Sequence, residues 1–303
     1  MNRILFKSLA RWAVPITALM VALHLPSAEA GIALDRIRAS GRIVIAHRDA
    51  SVPFSYVMPD GTPVGYAVDL CRRLAGAIGA KLGIRKLAIE YMPVTSANRI
   101  SIMEEGKADL ECESTTNNAE RRTRVAFAIP HYITGARFLV RESSQASELR
   151  DFVGKRLAAT AGTGPLKALQ RANAEQMLRI AIVEVPDHVN GVAAVESGEV
   201  DGFVMDEVLL RGLMSTRSDP SQLKVVGKYL TVEPLAIILP KGDPELKLLL
   251  DDEMKRLIRT KEVHALHDRW FLEPIPPMGR TLGLQMPYLL RDFWKYPSDW
   301  LVN

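Results

Sequence analysis

Cysteine is almost absent: the 303 residues contain two, Cys71 and Cys112. That count excludes a disulfide-dense scaffold. It leaves two arrangements, one bridge in an oxidising compartment or two buried thiols. The six histidines form no HExxH or other closely spaced ligand pattern, so a histidine metal centre is not expected. No GxSxG elbow is present. Gly162-Thr163-Gly164 lacks the continuation of a dinucleotide or nucleotide-phosphate loop. Formal charge is only +4, too small a surplus for a nucleic-acid or membrane-surface footprint. Low-complexity runs are missing too, which leaves a globular composition.

The start of the chain is different in kind. Arg3, Lys7 and Arg11 precede a mostly apolar stretch from Trp12 to Leu25, and Ala28-Glu29-Ala30 follows. A basic start, a short apolar core and a small-x-small site read as a secretory signal peptide over residues 1–30. The apolar part is short for a membrane span, and no cysteine follows closely enough for a lipid anchor. Without that segment the charge balance falls to near +2. The remaining length suggests two domains.

Apolar runs bounded by turn residues alternate with amphipathic segments. Strands are expected at 43–46, 87–93 and 109–113, with helices at 33–40, 66–83 and 98–105 between them. Ser51 to Tyr56 reads as extended. This β-α-β-α-β order argues for a layered α/β unit with crossover helices. The logic then repeats: strands at 136–140, 156–160, 178–185, 200–205 and 223–226, helices at 165–174, 189–197 and 207–214. Leu235 to Leu239 reads as a returning strand, followed by helices at 245–260 and 262–270. A proline-bearing tail from Glu273, with Trp294 and Trp300, reads as irregular and anchored by its aromatics.

Ligands of open α/β sheets bind beyond the carboxyl ends of strands. Polar residues follow most of the expected strands: Arg48; Ser96 and Arg99; Ser114, Thr116 and Arg121; Thr160 and Thr163; His188; Asp206. Guanidinium groups match carboxylates in a bidentate fork, and hydroxyls fill the remaining lone pairs. Three arginines suit a small ligand with more than one carboxylate. The glycine-bearing loop around Thr163 offers backbone N–H groups to an anion. Asp206 calls for a cation, which an α-ammonium would supply. Each residue taken alone also reads as a helix cap or a loop residue satisfying its own backbone.

Several stretches carry a specific resemblance: Ser51-Val52-Pro53-Phe54-Ser55-Tyr56, Thr95-Ser96-Ala97-Asn98-Arg99-Ile100, and Glu111-Cys112-Glu113-Ser114-Thr115-Thr116-Asn117-Asn118 with Glu120-Arg121. Asp187-His188, Met205-Asp206, and Trp270-Phe271 with Pro274-Ile275-Pro276-Pro277 add to it. Over roughly residues 35–272 the chain resembles the periplasmic solute-binding proteins for polar amino acids, and most closely the glutamate/aspartate binders of ABC uptake systems. The resemblance implies a type II periplasmic-binding-protein fold, two α/β lobes joined by two hinge strands. The first lobe would comprise residues 31–134 and 232–272, the second 135–231, with a tail over 273–303 packed on a lobe. It implies a monomer in the periplasm that serves an inner-membrane permease, with no cofactor, metal, catalytic residue or nucleic acid. Arg121, with Ser114 and Thr116, would hold the α-carboxylate. Arg48, Ser96 and Arg99 would hold the side-chain carboxylate, helped by Thr160, Thr163 and His188. Asp206 would take the α-ammonium.

Glu113 departs from that pattern, standing where the closest relatives tend to have glycine, and brings negative charge to an anion site. Glu207 after Asp206 is a milder change. An acidic amino acid is expected to outbind its amide, because an amide would leave arginines unpaired in a drying cleft. Three alternatives remain: a binder of another dicarboxylate or polar amino acid, an exported dehydratase-like enzyme using Glu113, His188 or Asp206 as acid or base, and a sensory or structural binding domain that uses the same cleft without transport.

Overall fold

The computed structural model describes residues 33–299; the expected signal segment and Trp300 lie outside the described residues. Behind Gly41 the alternating run Arg42–His47 forms a strand with Ile43 and Ile45 fully buried. It pairs in parallel with Ala88–Pro93 on one side and Leu110–Glu111 on the other. The first five-stranded sheet runs in the order 88–93, 42–47, 110–111, 238–239, 126–127. Its last neighbours are antiparallel, since the 238–239 strand returns from late in the chain. Helix Tyr66–Leu82 covers it with Leu70, Leu74 and Ile78, spaced four apart on one face. Helix Pro244–Arg259, capped by the Asp243 side chain on Leu246 N (2.9 Å), adds Leu246, Leu250, Met254 and Leu257. Each such burial is worth about 1.5–3 kcal/mol.

The second sheet follows the same chemistry in the order 181–185, 156–160, 202–206, 136–141, 223–226. The first three are parallel, and 136–141 runs antiparallel to 202–206. Between the sheets the chain crosses twice, in Tyr132–Thr134 and Glu233–Leu235. These two segments pair with each other, Glu233 opposite Thr134 and Leu235 opposite Tyr132.

Three expectations are corrected. Ser51–Tyr56 is not one extended run: a turn at 52–54 separates Ala50–Ser51 from Ser55–Val57. The expected strand at 109–113 is only Leu110–Glu111, because the backbone beyond it turns into the site. The 235–239 strand is two, since Glu233–Leu235 pairs with the other crossing segment and Ile238–Leu239 joins the first sheet. Of the two arrangements open to the cysteines, the structure has the bridge: Cys71 on the 66–82 helix is bonded to Cys112, one residue past the 110–111 strand.

The tail touches both lobes. Tyr56 Oη donates to Pro276 O (2.7 Å), and Trp294 Nε1 donates to Pro130 O (3.0 Å). Between these points Arg280 Nη1 donates to Ser215 O (2.9 Å) and Arg217 O (2.5 Å), at and just past the end of helix Glu207–Ser215.

Candidate functional site

The carboxyl ends of both sheets face each other, and the polar residues after the strands meet there. Ser96, Arg99, Ser114, Thr116, Thr163, His188 and Asp206 line one small cavity, with Gly164, Pro165, Met205 and Leu209. Its volume of about 10 Å³ is room for roughly one water molecule, so the lobes are drawn together on it. The three other expected residues sit one contact away. Arg48 Nη1 donates to Ser96 Oγ (2.5 Å). Arg121 Nη1 donates to Thr116 O (2.9 Å). Thr160 Oγ1 lies 2.9 Å from His188 Nδ1. All ten expected residues are therefore together. A larger groove of about 660 Å³ beside the crossing segments shares Thr116 and Gly164 and is also lined by buried Asn117 and Glu233, with Lys167 and Arg171.

Local sequence sets each position. Arg48 follows its strand directly, and Ser55 Oγ holds its backbone N at 2.9 Å. Thr95 and Asn98 bond each other's backbone N–H (3.2 and 2.8 Å), which turns the chain and puts Arg99 first in helix Arg99–Glu104. Asn118 caps the short helix Ala119–Arg122 by accepting from Arg121 N at 2.9 Å. Thr163 caps helix Gly164–Glu175, and its hydroxyl also donates to Thr160 O (2.7 Å). Asp187 caps the helix that opens with His188. Asp206 ends its strand and stands at the N-cap of helix Glu207–Ser215, yet its side chain makes no cap bond.

The lobes touch across the cavity. Arg121 Nη2 donates to Gly162 O at 3.2 Å, and Lys167 pairs with Glu120 on the rim. Gly162 has φ +76°, and a Cβ there would lie 2.6 Å from Ser96 O. At Gly212 a Cβ would lie 2.0 Å from Val52 O. Both contacts demand glycine, for a backbone of one lobe lies directly on a backbone of the other.

Burial governs the electrostatics. Arg48, Arg99 and Asp206 are 3%, 3% and 2% exposed. Desolvation pulls the Arg99 guanidinium well below its ordinary value, Arg121 adds to this and Glu111 opposes it. A guanidinium starts so high that it stays charged. Burial likewise presses His188 well below the usual histidine range, with Arg48 and Arg99 pushing the same way. The ring is neutral, and when Nδ1 accepts from Thr160 its proton sits on Nε2, ready to donate. Asp206 is driven well above the carboxylate range by burial and then by Glu233, against the pull of Arg99 and Arg121. Among the described residues, Asp206 Oδ1 and Arg99 Nε are buried without a hydrogen-bond partner. An unpaired buried acceptor and donor in one cavity call for a ligand that brings a cation and an anion.

Three acidic residues belong to the site beyond those expected as ligand contacts. Glu113, fully buried, contacts Arg99 and lies 3.5 Å from Arg48 Nη1. Glu233, from a crossing segment, accepts from Thr116 Oγ1 at 2.5 Å. Glu111 lies 2.9 Å from Thr115 Oγ1, which is also 2.9 Å from Glu113. One hydroxyl has one hydrogen. Burial raises the Glu111 carboxyl above its usual range, despite Arg99 and Thr115. Thr115 therefore donates to one of the two carboxylates at a time. Only Glu113 was visible as an anomaly in sequence; Glu233 was signalled faintly, as an acidic residue entering an apolar extended run.

Residues 43–273 match the model of the bacterial extracellular solute-binding proteins, family 3. The chain belongs to that family. That family is one of solute-binding proteins, not an enzyme family, which weighs against the dehydratase-like alternative. A protein of Salmonella typhimurium, a glutamate/aspartate import solute-binding protein, is 34% identical over 274 residues, 90% of this chain and 91% of its own length. One of the same description from Escherichia coli is 33% identical over 296 residues, 96% of this chain and 98% of its own. Among solved structures, an ABC uptake transporter substrate binding protein from Streptococcus pneumoniae with bound histidine superposes with a TM-score of 0.72. It is 20% identical and covers 80% of this chain and 98% of its own, a likeness of fold. The two-lobed α/β architecture is that of the type II periplasmic binding proteins.

Proposed function

We propose that this protein is the periplasmic solute-binding component of an ABC importer and that its ligand is an acidic amino acid, glutamate or aspartate. The observation that carries the ligand class is an interlobe cavity lined by buried Arg99 and the unpartnered Asp206 oxygen, with buried Arg48 and Arg121 one contact behind it. The names of the Salmonella and Escherichia relatives support it. The lobes are taken as 31–134 with 232–272, and 135–231, with a tail over 273–303.

In this reading Arg121, Ser114 and Thr116 hold the α-carboxylate. The α-ammonium sits at Asp206 and draws that carboxyl back to its charged form, since a nearby cation favours the carboxylate. Arg48, Ser96 and Arg99 receive the side-chain carboxylate, with Thr160 orienting His188 towards it and Thr163 closing the second-lobe side. The ligand docks on the arginine-bearing lobe while the cleft is open. Closure adds the second-lobe contacts and removes water, which strengthens every ion pair inside. The closed pair of lobes is what a permease would read. Selection rests on the ligand's better fit to the closed state.

Titration calorimetry against the amino acids tests this, alongside native mass spectrometry of protein purified without refolding. Glutamate or aspartate should bind at micromolar levels or tighter, about −8 kcal/mol. No measurable heat with either would refute the ligand assignment.

A further inference from the structure

The arginines assigned to the ligand's side chain come with a counter-ion, since Glu113 contacts Arg99 and lies 3.5 Å from Arg48 Nη1. The acids at the other end of the site come with none. Asp206 and Glu233 are 2% and 4% exposed. Among the described residues neither makes an ion pair with a lysine or arginine. Glu233 adds to burial in driving the Asp206 carboxyl up, against Arg99 and Arg121. Glu233 sits on a crossing segment, opposite Thr134, and does not itself line the ligand cavity. It meets the cavity through two residues that do, Thr116 and Gly164. Its Oε2 accepts from Thr116 Oγ1 at 2.5 Å. A Cβ on Gly164, the first residue of helix Gly164–Glu175, would lie 2.9 Å from the same oxygen. The carboxylate is thus wedged between a hydroxyl of one lobe and the start of a helix of the other, where negative charge is favoured. The Thr116 hydroxyl has one hydrogen, and Glu233 takes it. Only lone pairs are left for the cavity. They suit an ammonium and repel a carboxylate.

We propose that Glu233 is a positioning residue for the ligand's α-ammonium: it fixes Thr116 as an acceptor and adds a second buried negative charge near Asp206, so that the cleft takes amino acids and refuses diacids that lack the amino group. The inference rests on the reading of the cleft as an acidic amino-acid site and moves Thr116 within it, from the α-carboxylate to the α-ammonium. A diacid of the same length offers the arginines both carboxylates that glutamate does. At the Asp206 end it brings no positive charge. Two buried acids then stay without a counter-ion, a costly state in a closed cleft. An amino acid supplies that counter-ion as the lobes close.

Calorimetry with glutamate, aspartate and their deaminated counterparts glutarate and succinate, on the wild type and Glu233→Gln, tests this, together with urea unfolding of both ligand-free proteins. Glutamine keeps the size of the side chain and an acceptor oxygen, and removes the charge. In the variant the preferred amino acid should bind about tenfold more weakly and its diacid no more weakly than before. The ligand-free urea midpoint should hold or rise, because an uncompensated buried charge has gone. A residue that merely braced the crossing segment would lower affinity and midpoint together. That result, or an amino-acid affinity reduced by less than about threefold, would overturn the proposal and leave the amino-acid reading intact. A wild type that binds the diacid as tightly as the amino acid would overturn it without any variant. No heat from either amino acid in the wild type would overturn the proposed ligand and this inference with it.

Discussion

The two faces of the cleft are built from different chemistry. The first lobe contributes the arginines at 48, 99 and 121, each set among buried acids, and a disulfide braces the strand end that carries Glu113. The second lobe contributes Thr160, Thr163, a neutral His188 and one acid, Asp206, whose carboxyl burial drives towards its neutral form. A charged face with its counter-ions in place can greet an anion before the cleft shuts. A largely uncharged face loses little when its water leaves, because burying neutral hydrogen-bonding groups costs far less than burying charges. On the proposed reading the two faces divide the labour: one lobe captures, the other seals.

Removing the brace should have the largest effect. Cys71 and Cys112 close a loop with a sequence separation of 41, and constraining such a loop is worth about 4 kcal/mol. Cys71→Ser with Cys112→Ser should lower the urea midpoint by that stability and leave the second lobe's own transition, if it separates, where it was. An unchanged midpoint would mean that the capturing lobe needs no brace. Next comes the cation that both faces share. Arg121→Ala should weaken acidic ligand binding by about 3 kcal/mol, roughly two decades, the usual loss when one partner of a buried charge pair is cut away. A loss confined to a few-fold in calorimetry would place Arg121 outside the capturing set. Smallest is the test of sealing. Gly162→Ala forces a side chain against Ser96 O at positive φ, costing about 1–2 kcal/mol. Affinity should drop about tenfold, with the ligand-bound protein scattering X-rays as a wider, less closed particle. Full compaction on ligand addition would show that the contact yields.

Much of this arrangement can be read from the chain, for a physical reason. Polar residues directly after strands are local signals, so Arg48, Ser96, Thr160 and Asp206 announce their place at the carboxyl ends of a sheet. The alternation of strand and helix likewise follows from short-range apolar spacing. What the chain hides is pairing at a distance. Thr116 and Glu233 are separated by 117 positions, and nothing near either names the other. Glu113 stands out as a charge where none is wanted, but its contact with Arg48 depends on the chain folding 65 positions back on itself. The Ser51–Tyr56 run misleads because extended and turn backbones alternate there within three residues.

One contact far from the cavity bears on opening. Arg280, on a segment tied to the first lobe at Tyr56 and Trp294, grips main-chain oxygens at the end of a second-lobe helix. Any swing of that lobe must either snap this strap or drag it along. Parting the lobes therefore means giving up two main-chain hydrogen bonds of Arg280 unless the tail travels with them.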